Sequence, residues 1–342
     1  MIDVQHVGSL LAVVPLALLP VVTFLLLLVY LDSYQVVRIR VVVAMLVAGG
    51  IVAVVCYALN GELMALLHMH LAPYSRWVAP VVEETLKASV VVWLFRTHRV
   101  GFLADSAILG FAVGAGFAVT ENIYYLYLAA DTTMPIWIVR GFGTAIMHGG
   151  VTAIFAIVTQ TLAERGINVR LWHCLPGWLA AVFIHSAFNH FYIEPVWSAL
   201  GVVVAMPLLL YLVFRISAHR THNWLEVDFD ENARLMQMID SGHFSSSPVG
   251  AFLNGLRDKL DGAVVADMLC YLRVYTELAL RAKGLLMMRE HGLDVKMDDD
   301  TRAKFEEMHY LERSIGATGR LTMRPFLQMT TQDLWQLYML EQ

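Results

Sequence analysis

Apolar residues occur in seven long runs between the start of the chain and about residue 216, and short polar stretches separate the runs. A helix needs about 20 predominantly apolar residues to cross the hydrocarbon core of a bilayer. The pattern therefore predicts seven membrane-spanning α-helices. Their predicted ranges are Leu10–Leu31, Val41–Leu59, Trp77–Phe95, Ser106–Leu128, Ile138–Leu162, Trp172–Tyr192 and Val196–Ile216.

The third run differs from the others because charged residues occupy its centre. Its sequence, WVAPVVEETLKASVVVWLF, contains Glu83, Glu84 and Lys87. An ionised side chain at the middle of a bilayer costs about 2.5–3.5 kcal/mol on insertion scales. These three groups must therefore face protein or trapped water, and the rest of the chain is expected to supply a polar interior. A functional role is the default interpretation of such a helix.

A short segment between the second and third runs, Glu62–Leu71, is too short to cross a bilayer. Its mixed pattern predicts a helix that lies at the membrane interface. We expect its two histidines, His68 and His70, at the surface.

From about Ala218 the composition becomes that of a soluble protein. Apolar residues recur at helical spacing through Val249–Glu290, namely Phe252, Leu256, Leu260, Val264, Met268 and Leu272. Asp300–Ser314 and Gln332–Glu341 predict further helices. We therefore expect an all-α protein with a transmembrane domain over residues 1–216 and a cytoplasmic helical domain over residues 217–342.

Composition supports a multi-pass membrane protein, since 58% of the 342 residues are hydrophobic and 15% are charged. Residues 1–216 hold 10 basic and 10 acidic residues, and the remainder holds 14 and 19. Neither part has a basic stripe, so nucleic acid is not an expected partner. The three cysteines are far apart in the sequence, which predicts neither a disulfide framework nor a cysteine zinc site.

Basic residues beside the spans predict the orientation of the protein in the plasma membrane. The loops after spans one, three, five and seven hold Arg38 and Arg40, Arg96 and Arg99, Arg165 and Arg170, and Arg215 and Arg220. The opposite side has only Arg76 and Arg140. The N-terminus is therefore expected outside and the C-terminus in the cytoplasm.

Three more spans carry polar groups that lipid would reject. Span four has Glu121 followed by Asn122, span five has His148, and span six has His185 with Asn189 one turn later. At a rise of about 1.5 Å per residue, these groups and the span-three carboxylates all lie about 3–6 Å to the outer side of their span centres. They are expected to form one polar site inside the membrane, nearer its outer face.

Helical spacing and small residues add to this expectation. His185 and Asn189 share one helix face, and so do Glu83 and Lys87, because residues four apart lie above one another. Seven glycines in spans four and five should allow close packing of helices around the site. They are Gly110, Gly114, Gly116, Gly141, Gly143, Gly149 and Gly150.

Two kinds of chemistry suit such a site. Carboxylates and imidazoles are zinc ligands that can leave a position open for water. The same groups can also act without metal, with a carboxylate activating water and a histidine stabilising the oxyanion. Hydrolysis and proton-coupled transport, in a transporter or channel, both fit, and a scaffold that only binds a partner through its tail is a third interpretation. Transporters often contain internal repeats, and the sequence shows none; it also lacks HExxH and GxSxG.

Four motifs on consecutive spans resemble the PrsW family of bacterial membrane proteases. EETLK at 83–87 resembles its EExxK signature, FAVTEN at 117–122 its FxxxEN element and HSAFN at 185–189 its HxxxN element. His148, before a run of small residues, is similar to the remaining intramembrane histidine. In the related CAAX-processing and bacteriocin-immunity proteases, an Arg stands one residue beyond the place of Lys87 and a His replaces Glu121. The resemblance covers residues 77–192.

The resemblance implies an intramembrane endopeptidase that cuts single-pass, membrane-anchored proteins, such as anti-sigma factors. It implies catalytic or metal-binding roles for Glu83 and Glu84, with Lys87 beside them. Glu121, His148 and His185 would be their partners, and Asn122 and Asn189 would be polarising donors. The expected zinc ligands, if the site is metallic, are Glu84, Glu121, His148 and His185. The family does not cover the tail, for which a cytoplasmic partner is expected.

Overall fold

All regular secondary structure is helical in the part of the chain that the computed structural model describes. That part comprises residues 4–32, 37–128, 133–163, 169–242, 244, 247–290, 293, 299–323, 327 and 335. The helices are α1 (Val4–Tyr30), α2 (Ile39–Leu66), α3 (Leu71–Trp77), α4 (Ala79–Arg96), α5 (Leu103–Leu128), α6 (Met134–Ile138), α7 (Ala145–Ala163), α8 (Leu171–His190), α9 (Pro195–Asp240), α10 (Pro248–Leu256), α11 (Gly262–Glu290) and α12 (Asp299–Met323). A π-helical segment, Val139–Thr144, joins α6 to α7.

Six helical stretches within the described ranges are long and apolar enough to cross a membrane. They are α1, α2, α5, the continuous stretch from α6 to α7, α8 and α9. Helix α4 has 18 residues but carries Glu83, Glu84 and Lys87 in its middle. With α4 included, the protein is an all-α bundle of about seven spans, which confirms the predicted fold class.

Contacts divide the chain into two compact units. The first comprises residues 1–164 and 168–217, and the second comprises residues 165–167 and 218–342. The three cysteines are free, as expected from their spacing, with Cys56 and Cys174 buried and Cys270 exposed.

Helix α5 is the central helix of the first unit. It is buried along most of its length and packs against α1, α2, α4 and α7. A Cβ atom added at Gly116 would lie 1.8 Å from the carbonyl oxygen of Leu46 in α2, and one at Gly114 would lie 2.2 Å from that of His148 in α7. The other five predicted packing glycines also leave no room for a Cβ. Small residues therefore allow α2 and α7 to approach α5 closely, as predicted.

This close approach predicts a large effect of the smallest possible substitution at Gly116. We expect Gly116→Ala to lower thermal stability in detergent and accumulation in the membrane, because a backbone oxygen cannot move aside as a side chain can. Overpacking costs about 1–3 kcal/mol, and occasionally more. Gly201→Ala in α9 is the matched control, since nothing lies within 4 Å of that position. Equal stability of the two variants would contradict the packing described.

Some of the predicted helix boundaries were wrong. Helix α2 continues to Leu66, so the first half of Glu62–Leu71 extends a span and the segment is not an interfacial helix. The residues ELMAL favour helix and contain no signal that would end it. The chain turns at His68, which has a φ of 50°, and both His68 and His70 are exposed as predicted. Helix α9 likewise continues beyond Ile216, to Asp240.

The predicted start of span five, Ile138, was also wrong. The span begins at Met134 and contains the π-helical segment VRGFGT, which the periodicity did not predict. Single π-helical turns inside helices are frequent at functional sites. This one carries Arg140.

The second unit contains α10, α11 and α12. The segment Val249–Glu290, in which apolar residues recur at helical spacing, is helical as predicted, but the helix is interrupted between Leu256 and Gly262. Phe252, one of those apolar residues, is exposed. Helix α12 extends beyond Ser314 and bends at Gly316, whose φ is 66°. The predicted helix Gln332–Glu341 lies, apart from Trp335, outside the described residues.

Side-chain contacts join α11 to α12 in this unit. Glu277 of α11 lies 2.7 Å from Lys304 of α12. Tyr271 donates a hydrogen bond of 3.1 Å to Glu312, and burial raises the pKa of the Tyr271 hydroxyl.

Candidate functional site

Polar side chains from α4, α5, α7 and α8 meet inside the first unit. Glu83, Glu84, Lys87, His148 and His185 are all buried there. Hydrogen bonds and close charge contacts connect these residues with Glu121 in one continuous chain. The structure thus brings together the three glutamates, the lysine and the two histidines that were predicted from the sequence to lie at a similar depth in the membrane.

Glu84 fixes the orientation of His185. Its Oε1 accepts a hydrogen bond from Lys87 Nζ at 2.5 Å and lies 2.7 Å from His185 Nδ1. A carboxylate in an ion pair can only accept hydrogen bonds, so Nδ1 carries the hydrogen and the lone pair of Nε2 is free. That Nε2 lies 3.9 Å from Glu83 Oε2. Lys87 therefore pairs with Glu84, three residues away, and not with Glu83.

Lys87 and Glu121 orient His148 from its two sides. Lys87 Nζ lies 3.1 Å from Nδ1 of His148, and Glu121 Oε2 lies 3.4 Å from its Nε2. An ammonium group only donates, so Nδ1 is the acceptor and Nε2 carries the hydrogen that faces Glu121. The ammonium also lies 4.7 Å from the ring centre of Phe117, a favourable cation–π contact. The rings of His148 and His185 meet edge to face at 4.7 Å.

Arg140 of the π-helical segment is a residue that sequence reasoning missed. Its Nη2 lies 3.2 Å from Glu121 Oε2, and its guanidinium stacks 3.7 Å from the ring centre of Tyr125. Its Nε donates to Asn122 Oδ1 at 3.1 Å, and Asn122 Nδ2 donates to the carbonyl of Ala17 at 2.8 Å. Asn122 therefore holds Arg140 and is not part of the cluster, contrary to its expected role as a polarising donor.

Asn189 also lies outside the cluster. Its Nδ2 donates to the Ser75 carbonyl of α3 at 2.9 Å, and Ser186 donates to the Arg76 carbonyl at 2.7 Å. Asn189 shares a face with His185, as predicted, but one turn further along it reaches α3 instead of the site.

Asn60 and Tyr74 are further residues that the sequence analysis missed. Asn60 Nδ2 donates to Glu83 Oε1 at 3.2 Å, and the Tyr74 hydroxyl donates to Asn60 Oδ1 at 2.9 Å. The available signals were a polar residue in an apolar helix, for Asn60, and a basic residue on the side predicted to be poor in positive charge, for Arg140.

Glu83, His148 and His185 form a group that could hold a metal ion. Each offers one donor atom, and the three atoms lie within 4.8 Å of one another. Nitrogen and carboxylate oxygen are zinc donors. At the tetrahedral angle, two donors on one zinc ion, each about 2.0–2.2 Å away, lie about 3.3–3.6 Å apart. Glu83 and His185, at 3.9 Å, need to approach by a few tenths of an ångström to share the ion. Since Nε2 of His148 carries a hydrogen, ligation there would release a proton, as is general for metal binding.

This group differs from the expected ligands in its carboxylate. Glu83 takes the place of Glu84, because Glu84 Oε1 is already engaged by Lys87 and by His185 Nδ1. A carboxylate that accepts from the other ring nitrogen is the usual support of a histidine ligand. Glu121 lies beside His148 but outside the group, paired with Arg140. The donor set therefore fits zinc, with Glu84 in a supporting position.

A comparison with known protein families matches residues 37–212 to the family described as PrsW family intramembrane metalloprotease. This range is more than half of the chain and contains every residue of the cluster. No curated protein matches the chain, and no solved structure does.

Proposed function

Because the chain belongs to the PrsW family of intramembrane metalloproteases, we propose that it hydrolyses peptide bonds of membrane-anchored proteins at the Glu83–His148–His185 group. The observation that carries the proposal is the convergence of these buried donors, from three helices, within 4.8 Å of one another. Buried carboxylates and imidazoles in a membrane bundle need partners and mark functional sites.

Glu83, His148 and His185 would hold a zinc ion in this proposal. The ion would act as a Lewis acid that polarises the carbonyl group under attack. Glu84 keeps Nε2 of His185 directed at Glu83, and Lys87 balances the negative charge of Glu84 inside the protein.

Glu121 is the best candidate for moving a proton. Its Oε2 makes no hydrogen bond among the described residues, although Arg140 and His148 lie close by. Its side chain as a whole is 26% exposed, although Oε2 itself is buried, whereas His148 and His185 are each 2% exposed. Glu121 can therefore take a proton from the attacking water and return it to the leaving amine, as general acid–base catalysis requires. Arg140 keeps this carboxylate in place.

The substrate we propose is a single-pass membrane protein, with anti-sigma-factor-like regulators as the class that the family suggests. The basic residues beside the spans favour a cytoplasmic C-terminus, where the second unit would meet a cytoplasmic partner. The cluster would then lie nearer the outer face, and water would reach it from outside.

Cleavage is expected in the outer juxtamembrane region or outer third of the substrate helix. A helical peptide bond is engaged in the hydrogen bonds of its own helix, so cutting is easiest near a helix end or at Gly or Pro. The assay is co-expression with a reporter in which one transmembrane helix, with Gly and Pro near its outer end, joins two fluorescent proteins. Mass spectrometry of the new termini locates the cut.

Cuts confined to the cytoplasmic half would contradict the proposed orientation and depth. Proton uptake into liposomes that depends on His148, with no cleavage of the reporter, would support a proton-coupled transporter instead.

A further inference from the structure

We infer that Asn60 and Tyr74 are positioning residues of the site, which hold Glu83 so that a single carboxylate oxygen faces the histidines. The inference rests on the proposed function of the cluster. It adds two residues from α2 and α3, neither of which contributes a side chain to the cluster itself.

The hydrogen bonds form a directed chain from Tyr74 to Glu83. The Tyr74 hydroxyl donates to Asn60 Oδ1 at 2.9 Å, and Asn60 Nδ2 donates to Glu83 Oε1 at 3.2 Å. A side-chain amide has an acceptor end and a donor end. With its acceptor end occupied by Tyr74, Asn60 must present its donor end to Glu83, which is the end that a carboxylate prefers.

This chain leaves the two oxygens of Glu83 in different surroundings. Oε1 is held by Asn60, and Oε2 faces Nε2 of His185 at 3.9 Å. Without Asn60 the carboxylate could rotate and direct either oxygen, or both, elsewhere. Asn60 therefore selects the orientation in which Glu83 and His185 can bind the same ion.

Helix α8 sets the position of Tyr74 and thereby extends the chain. Tyr74 is 2% exposed. The next two residues of α3, Ser75 and Arg76, accept hydrogen bonds through their carbonyls from Asn189 and Ser186 of α8. Helix α8 also carries His185. The positions of Glu83 and His185 therefore both depend on α8, directly for His185 and through Tyr74 and Asn60 for Glu83. This explains why the Asn189 side chain binds α3 and not the cluster.

The first experiment removes single hydrogen bonds. Tyr74→Phe deletes one hydroxyl and keeps the ring, and Tyr127→Phe is its control because Tyr127 is 85% exposed. Asn60→Ala deletes the donor to Glu83, with Asn254→Ala on the exposed surface of α10 as control. We expect Tyr74→Phe and Asn60→Ala to lower kcat for the reporter by about 10–100-fold, the usual effect of losing support for a metal ligand. KM and the melting temperature should change little.

The second experiment measures zinc retention, which needs no substrate. After dialysis against limiting zinc, the two variants are expected to hold less zinc per chain than the wild type and the controls. Asn60→Asp should retain the least zinc, because it places a carboxylate against the carboxylate of Glu83. In the Asn60→Ala background, Tyr74→Phe should have little further effect, since Tyr74 acts through Asn60.

The outcomes separate this inference from the proposed function. If Asn60→Ala and Tyr74→Phe turn over the reporter and retain zinc like the wild type, while Glu83→Gln is inactive, the positioning role is wrong and the proposed function stands. Additive effects of the two substitutions, with a matching loss of melting temperature, would reduce the pair to a structural contact. A wild-type protein that neither cleaves the reporter nor retains zinc would overturn both proposals.

Discussion

Glu84→Gln is expected to lower the rate of reporter cleavage by about 10²–10⁴-fold, because loss of the carboxylate that sets a histidine tautomer can lower kcat by up to about 10⁴-fold. The carboxylate of Glu84 holds the hydrogen on Nδ1 of His185 and pairs with Lys87. A glutamine amide could present a donor to Nδ1 and so allow the wrong ring nitrogen to carry the hydrogen. Glu83→Gln, His148→Ala and His185→Ala should each abolish cleavage as well, while the proteins still insert into the membrane.

Folding must be separated from catalysis in this experiment. Lys87 is 0% exposed, and removing one partner of a buried ion pair costs about 3–5 kcal/mol. The double variant Glu84→Gln/Lys87→Met is therefore expected to recover stability but not cleavage. Ser89→Ala, at an exposed position of the same helix, is the control with normal activity. If two or more of the four single variants cleave at the wild-type rate, the site is misassigned.

Removal of metal is expected to abolish cleavage, and added zinc should restore it. The purified protein should contain about one zinc ion per chain, held by three protein ligands with a position left open. Metal content measured by mass spectrometry, before and after treatment with a chelator, is compared with cleavage of the reporter in the same samples.

Variants of the glutamates make this test sharper. Glu83→Gln should lose both zinc and activity, because Glu83 belongs to the group within 4.8 Å. Glu121→Gln should keep zinc and lose activity, because Glu121 is the proposed proton acceptor beside that group. Full activity of metal-free protein would instead support a mechanism in which a glutamate alone activates water.

The sequence predicted the spans and the cluster because both follow from the cost of placing polar groups in lipid. Apolar runs of sufficient length correspond to helices, and Glu83, Glu84, Lys87, His148 and His185 could not all face the bilayer. The rise of an α-helix per residue was sufficient to predict that they lie at a similar depth in the membrane. In the structure, direct contacts connect them. The packing glycines followed from the same reasoning.

The side-chain partners could not be predicted with equal success, because they depend on the direction in which each side chain points. Asn122 follows Glu121 directly, and adjacent residues on a helix do not face the same way. It therefore binds Arg140 and α1 and not the cluster. Asn60 was missed because span two was predicted to end at Leu59, one residue too early to count Asn60 as part of the helix. Tyr74 was missed because it lies in α3, a helix of 7 residues that the sequence analysis did not predict. Whether Glu83 or Glu84 is the metal ligand depends on which of them pairs with Lys87. Their spacings of four and three residues from Lys87 on the helix allow either pairing.

The π-helical segment Val139–Thr144 has a consequence for how the contact between Arg140 and Glu121 can be lost. A π-helical turn accommodates one residue more than an α-helical turn. If the same residues formed α-helix throughout, everything before the segment would rotate by about 100° relative to α7, since an α-helix has 3.6 residues per turn. Arg140 would then turn away from Glu121 with no change in its chemical identity. The pairing is thus encoded in the backbone register of this segment as much as in the two side chains.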